Sequence, residues 1–214
     1  MINFGKIAHT FSNYNRRRKY DLFCKTFNPN SQIKILDVGA SEKEYQENAN
    51  ILEKQYPYPE NITVLGVDDY NEFHSRYPKV KTVVYNGNRH FPFADKEFDI
   101  CWSNAVIEHV GNKNEQRLFL KEIQRVAKAS FITTPNKYFP VEVHTRTLLL
   151  HFLLPKTIFD KFLSFIDKKW ATGSYMYLLS LNDIKKLLHE AGISNYKIIK
   201  SKLFFFTLDF IIIF

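Results

Sequence analysis

Cysteine is scarce in this sequence, whose 214 residues include only Cys24 and Cys101. The two lie far apart and form no CxxC pair, so the spacing of a zinc site or a disulfide framework is missing. We therefore expect reduced thiols, and we expect Cys101, inside an apolar segment, to be a small buried hydrophobic residue. The sequence predicts no metal site.

Long hydrophobic runs are also missing. The N-terminal segment has no apolar stretch after its basic residues, so it does not resemble a signal peptide. The most apolar segment, Leu203–Phe214, contains Asp209 and is much shorter than the ~20 residues of a membrane-spanning helix. Because it is rich in Phe and Ile, we interpret it as a buried final strand. These features favour a cytoplasmic protein and leave peripheral contact with a membrane open.

Acidic residues are outnumbered by basic ones, and the net charge is +8. Such a surface favours anionic partners, including nucleic acid, an anionic membrane and a phosphorylated substrate. The densest basic run, Arg16–Lys19, lies in a basic segment of residues 1–30 that we interpret as helical. A solvated helix face explains such a run better than a binding site does, so nucleic acid is disfavoured as a partner.

Short apolar segments alternate with helical ones along the chain, which is typical of an α/β protein with a mostly parallel sheet. Helices are predicted over Ser41–Gln55 and Asn114–Ala127, and a further helix begins at the Ser180–Asp183 signal and ends at Gly192. Strands are predicted at Gln32–Gly39, Thr63–Val67, Lys81–Tyr85, Phe98–Trp102, Phe131–Thr133, Tyr196–Lys200 and Leu203–Phe214.

Four of these strands end in polar or small residues. Ligands of an open parallel sheet bind beyond the carboxyl ends of its strands, so the four endings should meet at one edge. A glycine lets the backbone approach a ligand, a carboxylate can accept both hydroxyls of a ribose, and amides can pair with an adenine edge. These endings, Asp37 with Gly39, Asp68, Asn86–Gly87–Asn88 and Ser103–Asn104, predict a pocket for an adenosine-bearing ligand.

A set of linked motifs resembles those of the class I S-adenosylmethionine-dependent methyltransferases. The first motif alone is weak, but the set in this order is specific, and it covers about residues 33–135 and the closing strands. Ile35–Ala40 resembles the first motif, Gly66–Asp68 the acidic second motif, Phe91–Asp99 the "LPF-D-SFD" stretch of the type 11 group, and Ser103–Val110 its "S-V-EHV" segment.

The resemblance implies a Rossmann-like α/β fold in a single domain of residues 1–214. Its sheet has seven mostly parallel strands, the last one antiparallel, with helices on both faces. S-adenosylmethionine is the implied cofactor and methyl transfer the implied activity. By the same resemblance, Asp37, Gly39 and Ala40 hold the amino acid part of the cofactor, Asp68 takes the ribose hydroxyls, Asn86, Gly87 and Asn88 border the adenine, and Ser103 and Asn104 line the methyl-donor side.

The sequence departs from the family pattern in three places. The first loop has the single glycine Gly39 where two or three are usual. The spacing between the first two motifs is long, which suggests an inserted turn at Tyr56–Pro59. The family's usual aspartate before the "LPF" stretch falls on Gly87, so adenine contacts would come from Asn86, Asn88 or the backbone.

The long segment of residues 136–179 is interpreted as an inserted substrate or lid segment. Glu142 and His144 share a side of it if it is extended, and together they could remove a proton from a hydroxyl acceptor. A surface salt bridge with an N-cap near Thr145 is the alternative. His109, just after the fourth strand, is either a second site residue or a surface histidine.

Apolar residues with interleaved lysines run from Leu148 to Trp170. They could form a lid over the active site or contact a membrane surface. Either suits an amphipathic, anionic acceptor such as a lipid-linked precursor.

Three function classes follow from these features. The first is O-methylation of a small-molecule, glycan or lipid-linked precursor, with His144 as base, Glu142 orienting it or acting alone, and His109 shaping the methyl-donor pocket. The second is methylation of nucleic acid such as RNA, which Ser103–Val106 disfavours because it lacks the Asn-Pro-Pro-aromatic motif of base-modifying enzymes. The third is a non-catalytic binding protein, which the retained Asp68 disfavours.

Overall fold

The computed structural model describes residues 4–44, 48–87, 90–173 and 176–214. Its sheet has seven strands in the order β3-β2-β1-β4-β5-β7-β6. The strands are β1 (Ile35–Val38), β2 (Ile62–Gly66), β3 (Lys81–Val84), β4 (Phe98–Asn104), β5 (Ala127–Pro135), β6 (Lys197–Leu203) and β7 (Phe206–Ile213). The α-helices are α1 (Phe4–Phe27), α2 (Ile51–Gln55), α3 (Asn71–Arg76), α4 (Lys113–Val126), α5 (Leu150–Leu153), α6 (Lys156–Phe165) and α7 (Leu181–Glu190).

The strand directions confirm the predicted Rossmann-like sheet. β1 runs parallel to β2 and β4, and β2 runs parallel to β3. β7 is antiparallel to both β5 and β6. Among the described helices, none is both long and apolar enough to cross a bilayer.

The chain folds as two compact units. The first comprises the described residues up to Gly87 together with Phe98–Trp102, and it contains β1 to β3, most of β4 and α1 to α3. The second comprises residues 90–97 and the chain from Ser103 onward, with β5 to β7 and α4 to α7.

The core of the first unit forms around fully buried aliphatic residues of β1 and β2. Phe23 of α1 packs against them and meets the ring of Trp102 edge-on, with 5.1 Å between ring centroids. Cys101 is fully buried in β4, which confirms that it is a small hydrophobic residue of the core. Apolar residues fill both faces of these strands because parallel strands are covered on both sides.

In the second unit, α4 and α7 occupy the predicted positions. α4 buries Leu120, Ile123 and Val126, which recur at helical spacing along one face. α7 begins at a capping box in which Ser180 and Asp183 each bond the other's backbone N–H. The predicted helix start at Ser180–Asp183 is therefore confirmed.

The predicted helix over Ser41–Gln55 was too long, since the described part contains only α2. The side chain of Asn50 accepts a hydrogen bond from the Ser41 N–H at 2.9 Å and donates one to the Ser41 carbonyl at 2.8 Å. This long-range clamp engages the backbone of Ser41 outside any helix, which helix propensity does not reveal.

The two closing strands predicted at Tyr196–Lys200 and Leu203–Phe214 are present, but the turn between them lies a few residues later than predicted. β6 ends at Leu203, which pairs with Phe206 at the start of β7, so β6 and β7 form a hairpin. Phe204 and Phe205 form the turn with 76% and 95% of their surface exposed, whereas Phe210 is buried in β7. The composition favoured strand, but the antiparallel partner decided where the chain reverses.

Candidate functional site

In the first unit, Asp37, the first of the predicted cofactor residues, lies inside the core. Asp37 is 5% exposed in β1, between Val64 of β2 and Trp102 of β4. Burial raises the pKa of the Asp37 carboxyl well above its usual range, and the charge and hydrogen bond of the neighbouring Glu53 raise it further. Burial thus disfavours the ionised form of Asp37, which an ammonium group would attract, and its position inside the sheet suits a residue that braces the loop.

The loop after β1 turns at Gly39, whose φ of 96° favours glycine. Its N–H donates to the Leu65 carbonyl at 2.9 Å. The carbonyl of the next residue, Ala40, accepts a hydrogen bond from the buried Tyr70 hydroxyl at 3.1 Å. A Cβ on Gly66 would lie 1.7 Å from that hydroxyl oxygen, so the end of β2 must be glycine.

Side chains hold this loop in place of the missing glycines. Asn50 clamps Ser41, and the Glu42 carboxylate accepts from the backbone N–H groups of Glu72 at 2.7 Å and Phe73 at 3.2 Å. These are the first N–H groups of α3, which no helical carbonyl can satisfy. Sequence reasoning missed this bracing because its partners lie far apart in the chain.

The other polar strand endings predicted to bind the cofactor in the first unit follow two neighbouring parallel strands. Asp68 follows β2 and is exposed, while Asn86 and Gly87 follow β3 and are exposed as well. Gly87 has a φ of 76°, which suits a turn there. The structure therefore places Asp68 and Asn86 at the same edge of the first unit, as predicted. Asn88 lies outside the described residues.

We expect Glu53→Gln to flatten the dependence of stability on pH. Burial raises the pKa of Glu53 despite its hydrogen bond with Asp37, so the folded protein retains protons that the unfolded chain releases above about pH 4. Stability therefore falls as pH rises above that value, by up to about 1.4 kcal/mol per pH unit for each retained proton. Urea unfolding at pH 5 and pH 8 measures the slope, with the exposed Glu60→Gln as control. A slope as steep in Glu53→Gln as in the wild type would contradict the prediction.

In the second unit, the end of β4 is held by β5. Ser103 is fully buried, and Asn104 accepts a hydrogen bond on Oδ1 from the Thr133 hydroxyl at 2.7 Å. Ala105 adopts a φ of 60° and donates its N–H to the Thr133 carbonyl at 3.0 Å. This sharp turn leads into a 3₁₀ helix over Ile107–His109, which carries two adjacent titratable side chains.

Glu142 is the centre of the loop that follows β5. It is 2% exposed, so the alternative of a surface salt bridge is wrong. Its carboxylate accepts from His144 Nδ1 at 2.8 Å, the His144 N–H at 3.0 Å and the Thr145 hydroxyl at 2.6 Å, and also from the Thr145 N–H. Its carbonyl accepts from the Arg146 N–H at 2.7 Å, which shows that the segment turns here instead of extending.

The hydrogen bonds determine the ionisation of this pair. Burial opposes ionisation of Glu142, but the bonds from His144 and Thr145 and the charge of His144 outweigh it and lower the carboxyl pKa to about 2. Burial likewise disfavours a charged His144, but the bond to Glu142 and the negative charges of Glu142, Glu108 and Asp209 raise its pKa. Glu142 is thus an anion that orients the imidazole.

His144 also meets the 3₁₀ helix. Its Nε2 lies 3.1 Å from Nε2 of His109, with the two rings perpendicular at 88°. The same Nε2 lies 3.9 Å from Oε1 of Glu108, a fully buried residue whose other oxygen accepts from the Thr134 hydroxyl at 3.0 Å. Burial raises the pKa of Glu108, and the neighbouring histidines act against that rise.

The three predicted catalytic residues, His109, Glu142 and His144, are therefore brought together in the second unit. Sequence reasoning missed Glu108 and Thr134. Glu108 lies within the quoted "S-V-EHV" resemblance, directly before His109, and this adjacency was the available signal. Thr134 had no signal beyond its place at the end of a strand.

The second unit also contains a cavity of about 260 Å³, which is linked to Glu108 through the backbone of a lining residue. Tyr177, which lines it, donates its N–H to the Glu108 carbonyl at 2.7 Å, and buried Gln116 donates to the carbonyls of Ile107 and Tyr177. The charged residues of the lining are three lysines and two aspartates, so the wall is basic. They are Lys113, Lys137, Lys156, Asp160 and Asp183.

Residues 36–130 match the family model described as "Methyltransferase domain". No curated protein sequence matches the chain significantly.

Solved structures of methyltransferases share the fold. An S-adenosylmethionine-dependent methyltransferase from Methanosarcina mazei is 18% identical with a TM-score of 0.53, over 86% of this chain and 92% of that one. A Thermotoga maritima methyltransferase, described as a possible histamine N-methyltransferase, is 13% identical with a TM-score of 0.59, over 97% and 90%. A phosphoethanolamine N-methyltransferase from Haemonchus contortus, in complex with S-adenosylhomocysteine, is 11% identical with a TM-score of 0.57, over 86% and 39%.

The matched segment covers the four motifs that carried the resemblance except Ile35, and the sheet has the predicted strand directions. The expected Rossmann-like fold is confirmed, and the family match supports the expected enzyme class and cofactor, while the acceptor is a separate question. Residues 36–130, just under half of the chain, are therefore similar to the methyltransferase domain family, and the sheet has the fold of solved S-adenosylmethionine-dependent methyltransferases.

Proposed function

We propose that this enzyme transfers the methyl group of S-adenosylmethionine to a hydroxyl group of a small-molecule, glycan or lipid-linked precursor. The observation that carries the proposal is the chain of contacts from buried Glu142 to His144 and on to His109. A hydroxyl must lose its proton during methylation, and an imidazole oriented by a carboxylate is suited to accept it. An amine acceptor that is already neutral would need no such group.

For the cofactor we propose the residues predicted from the sequence. The turn at Gly39 and Ala40 would hold the amino acid part, and exposed Asp68 would accept hydrogen bonds from the ribose hydroxyls. Asn86 and Gly87, with Asn88, would border the adenine. Ser103 and Asn104 would shape the methyl-donor side, Ser103 as a buried support. Asp37 would brace the loop through its pairing with Glu53.

For the proton we propose His144 as the acceptor, through Nε2. Its Nδ1–H is engaged by Glu142, so the lone pair of the neutral imidazole is on Nε2. His109, whose ring stands perpendicular to that of His144, would hold this nitrogen in position and shape the pocket.

We propose that the methyl acceptor binds in the basic cavity and carries a negative charge. Lys113 pairs with Asp183 at 2.6 Å and Lys156 with Asp160 at 3.0 Å, which leaves the lining with one lysine in excess. Aromatic residues Phe152, Phe159 and Tyr177 add apolar surface for the body of the acceptor. This combination favours an amphipathic anionic molecule over a neutral polar one.

A transfer assay tests the proposed acceptor class. The protein would be incubated with methyl-labelled S-adenosylmethionine and separate pools of anionic sugars, lipid-linked glycans and RNA. We expect label in a glycan or lipid-linked pool, in a product whose mass rises by one methyl group and whose linkage is an ether or ester. Label in RNA alone would overturn the proposal and favour nucleic-acid methylation.

We also propose that the segment of residues 148–170 contacts an anionic membrane surface. Leu153, Ile158, Phe165 and Trp170 are between 51% and 88% exposed, and lysines lie between them. Apolar side chains that enter the headgroup region beside basic residues give binding that depends on anionic lipid.

Vesicle sedimentation checks this membrane contact. Replacing Phe165 and Trp170 with serine should weaken binding to vesicles containing phosphatidylglycerol at least about tenfold, because burying each aromatic contributes about 1.5–3 kcal/mol. Tyr14→Ser, which removes a 59% exposed aromatic of α1, is the matched control and should bind as the wild type does. Equal binding by all three proteins would rule out this segment as the contact.

A further inference from the structure

Three potential metal ligands converge in the second unit. One ligand atom from each of Glu108, His109 and His144 lies within 4.8 Å of the other two. The separation of the two imidazole nitrogens is 3.1 Å, and that of His144 Nε2 and Glu108 Oε1 is 3.9 Å. Two ligands of a tetrahedral zinc ion, each about 2.0–2.1 Å from the metal, are about 3.3 Å apart. The three atoms therefore need little movement to share one ion.

The protein alone leaves one of these atoms unsatisfied. Glu108 is fully buried, and its Oε1 has no hydrogen-bond partner within the described part of the chain. A buried carboxylate oxygen without a partner is costly, by about 1–3 kcal/mol or more. His144 Nε2 lies 3.9 Å from this oxygen, which is too long for a hydrogen bond. A cation between Glu108 and the histidines would satisfy this oxygen.

The surroundings of His144 match those of a metal-binding histidine. Such a residue usually donates its second ring N–H to a carboxylate, which fixes the tautomer and makes the ligating nitrogen more basic. His144 Nδ1 meets the Glu142 carboxylate at 2.8 Å, so Nε2 is the nitrogen turned toward Glu108 and His109. Glu142 is itself held by Thr145, and Thr145 by Thr147, so the ring orientation is set by the whole loop.

We propose that Glu108, His109 and His144 form a three-ligand site for one divalent cation of the zinc class, oriented by Glu142. Two imidazoles and one carboxylate are the ligand set of catalytic zinc sites, which keep a fourth position for substrate or water. The cysteine spacing that signals zinc in a sequence has no part in such a site, which explains why the sequence predicted no metal.

The site would refine the proposed function. Its catalytic part rests on that function, because it requires the acceptor to be a hydroxyl group. A hydroxyl oxygen bound at the fourth position would have its pKa lowered by the cation and release its proton to water. The resulting alkoxide would attack the methyl carbon of the sulfonium, forming the C–O bond as the C–S bond breaks and S-adenosylhomocysteine departs. In this case the cation, and not the imidazole of His144, would activate the acceptor.

Calorimetric titration of the full chain tests the site without any acceptor. The protein, free of any polyhistidine tag and stripped of metal with a chelator that is then removed, would be titrated with Zn²⁺ and, in parallel, Co²⁺. We expect one ion per chain and a visible Co²⁺ spectrum with nitrogen ligands. Glu108→Gln and His109→Ala should each weaken binding at least about 100-fold, because they remove ligands and not only supporting groups. The double variant His189→Ala, Glu190→Gln removes the same residue types from the exposed end of α7 and should bind as the wild type does.

Circular dichroism of each variant establishes that it is folded, and partly exposed His109 provides a ligand variant that does not disturb the core. No binding, or binding that Glu108→Gln and His109→Ala leave unchanged, would overturn the site. Site-dependent binding with equal methyl transfer before and after stripping would overturn its catalytic part and leave His144 as the proton acceptor. Failure of methyl transfer to every hydroxyl acceptor would refute the proposed function without affecting the binding result.

Discussion

Replacing His144 with alanine is expected to lower turnover by about 10²–10⁴-fold while the affinity for S-adenosylmethionine stays nearly constant. Methyl transfer is an in-line displacement, and positioning of the two reactants can supply ~7–11 kcal/mol of its barrier reduction. Alanine leaves that part in place and removes the group that deals with the acceptor proton. The loss is expected whether Nε2 accepts the proton itself or holds a cation that lowers the pKa of the acceptor hydroxyl.

Two measurements and a control separate the roles of His144. Turnover comes from methyl transfer at saturating cofactor, and affinity comes from calorimetric titration of each protein with S-adenosylmethionine. His189→Ala, a change of the same type on the exposed surface of α7, should leave both quantities unchanged. Unchanged turnover in His144→Ala would mean that His144 is structural. A collapse of cofactor binding would instead assign it to the cofactor pocket.

Replacing Asp68 with alanine is expected to weaken cofactor binding by about 1.5–3 kcal/mol, which is about 10- to 150-fold in Kd. The carboxylate is exposed beyond the end of β2, at the edge where ligands of parallel sheets bind. Its two oxygens can accept a hydrogen bond from each ribose hydroxyl, and hydrogen bonds to a charged group are the stronger kind.

Asp69→Ala is the matched control for this prediction. Asp69 is the next residue, it is also exposed, and its replacement changes the net charge by the same amount. A general electrostatic effect would weaken cofactor binding equally in both variants, whereas a ribose ligand at residue 68 predicts a large effect only in Asp68→Ala. Equal Kd values for Asp68→Ala and the wild type would remove Asp68 from the cofactor site.

Local patterns predicted those elements whose signals lie within a few residues. The apolar period of α4 and the Ser180–Asp183 capping box are local, so both helices were found close to their true bounds. Both closing strands were predicted, but the turn between them was placed before Leu203, because three consecutive phenylalanines favour strand while the reversal at Phe204–Phe205 depends on pairing across the sheet. Likewise the clamp between Asn50 and Ser41 competes with a helix only in the folded chain.

The sequence by itself determined the α/β order, the polar strand endings and the linked motifs, because each depends on neighbouring residues and their periodicity. It also pointed to Glu142 and His144 as a candidate pair, and to His109 as a separate candidate. Only the tertiary structure decided that Glu142 is buried, that the Nε2 atoms of His109 and His144 meet at 3.1 Å, and that Glu108 joins them. The contacts of His144 with His109 and Glu108 connect residues more than thirty positions apart in the chain. They form, and Glu142 becomes buried, only once the loop after β5 has packed against the 3₁₀ helix after β4.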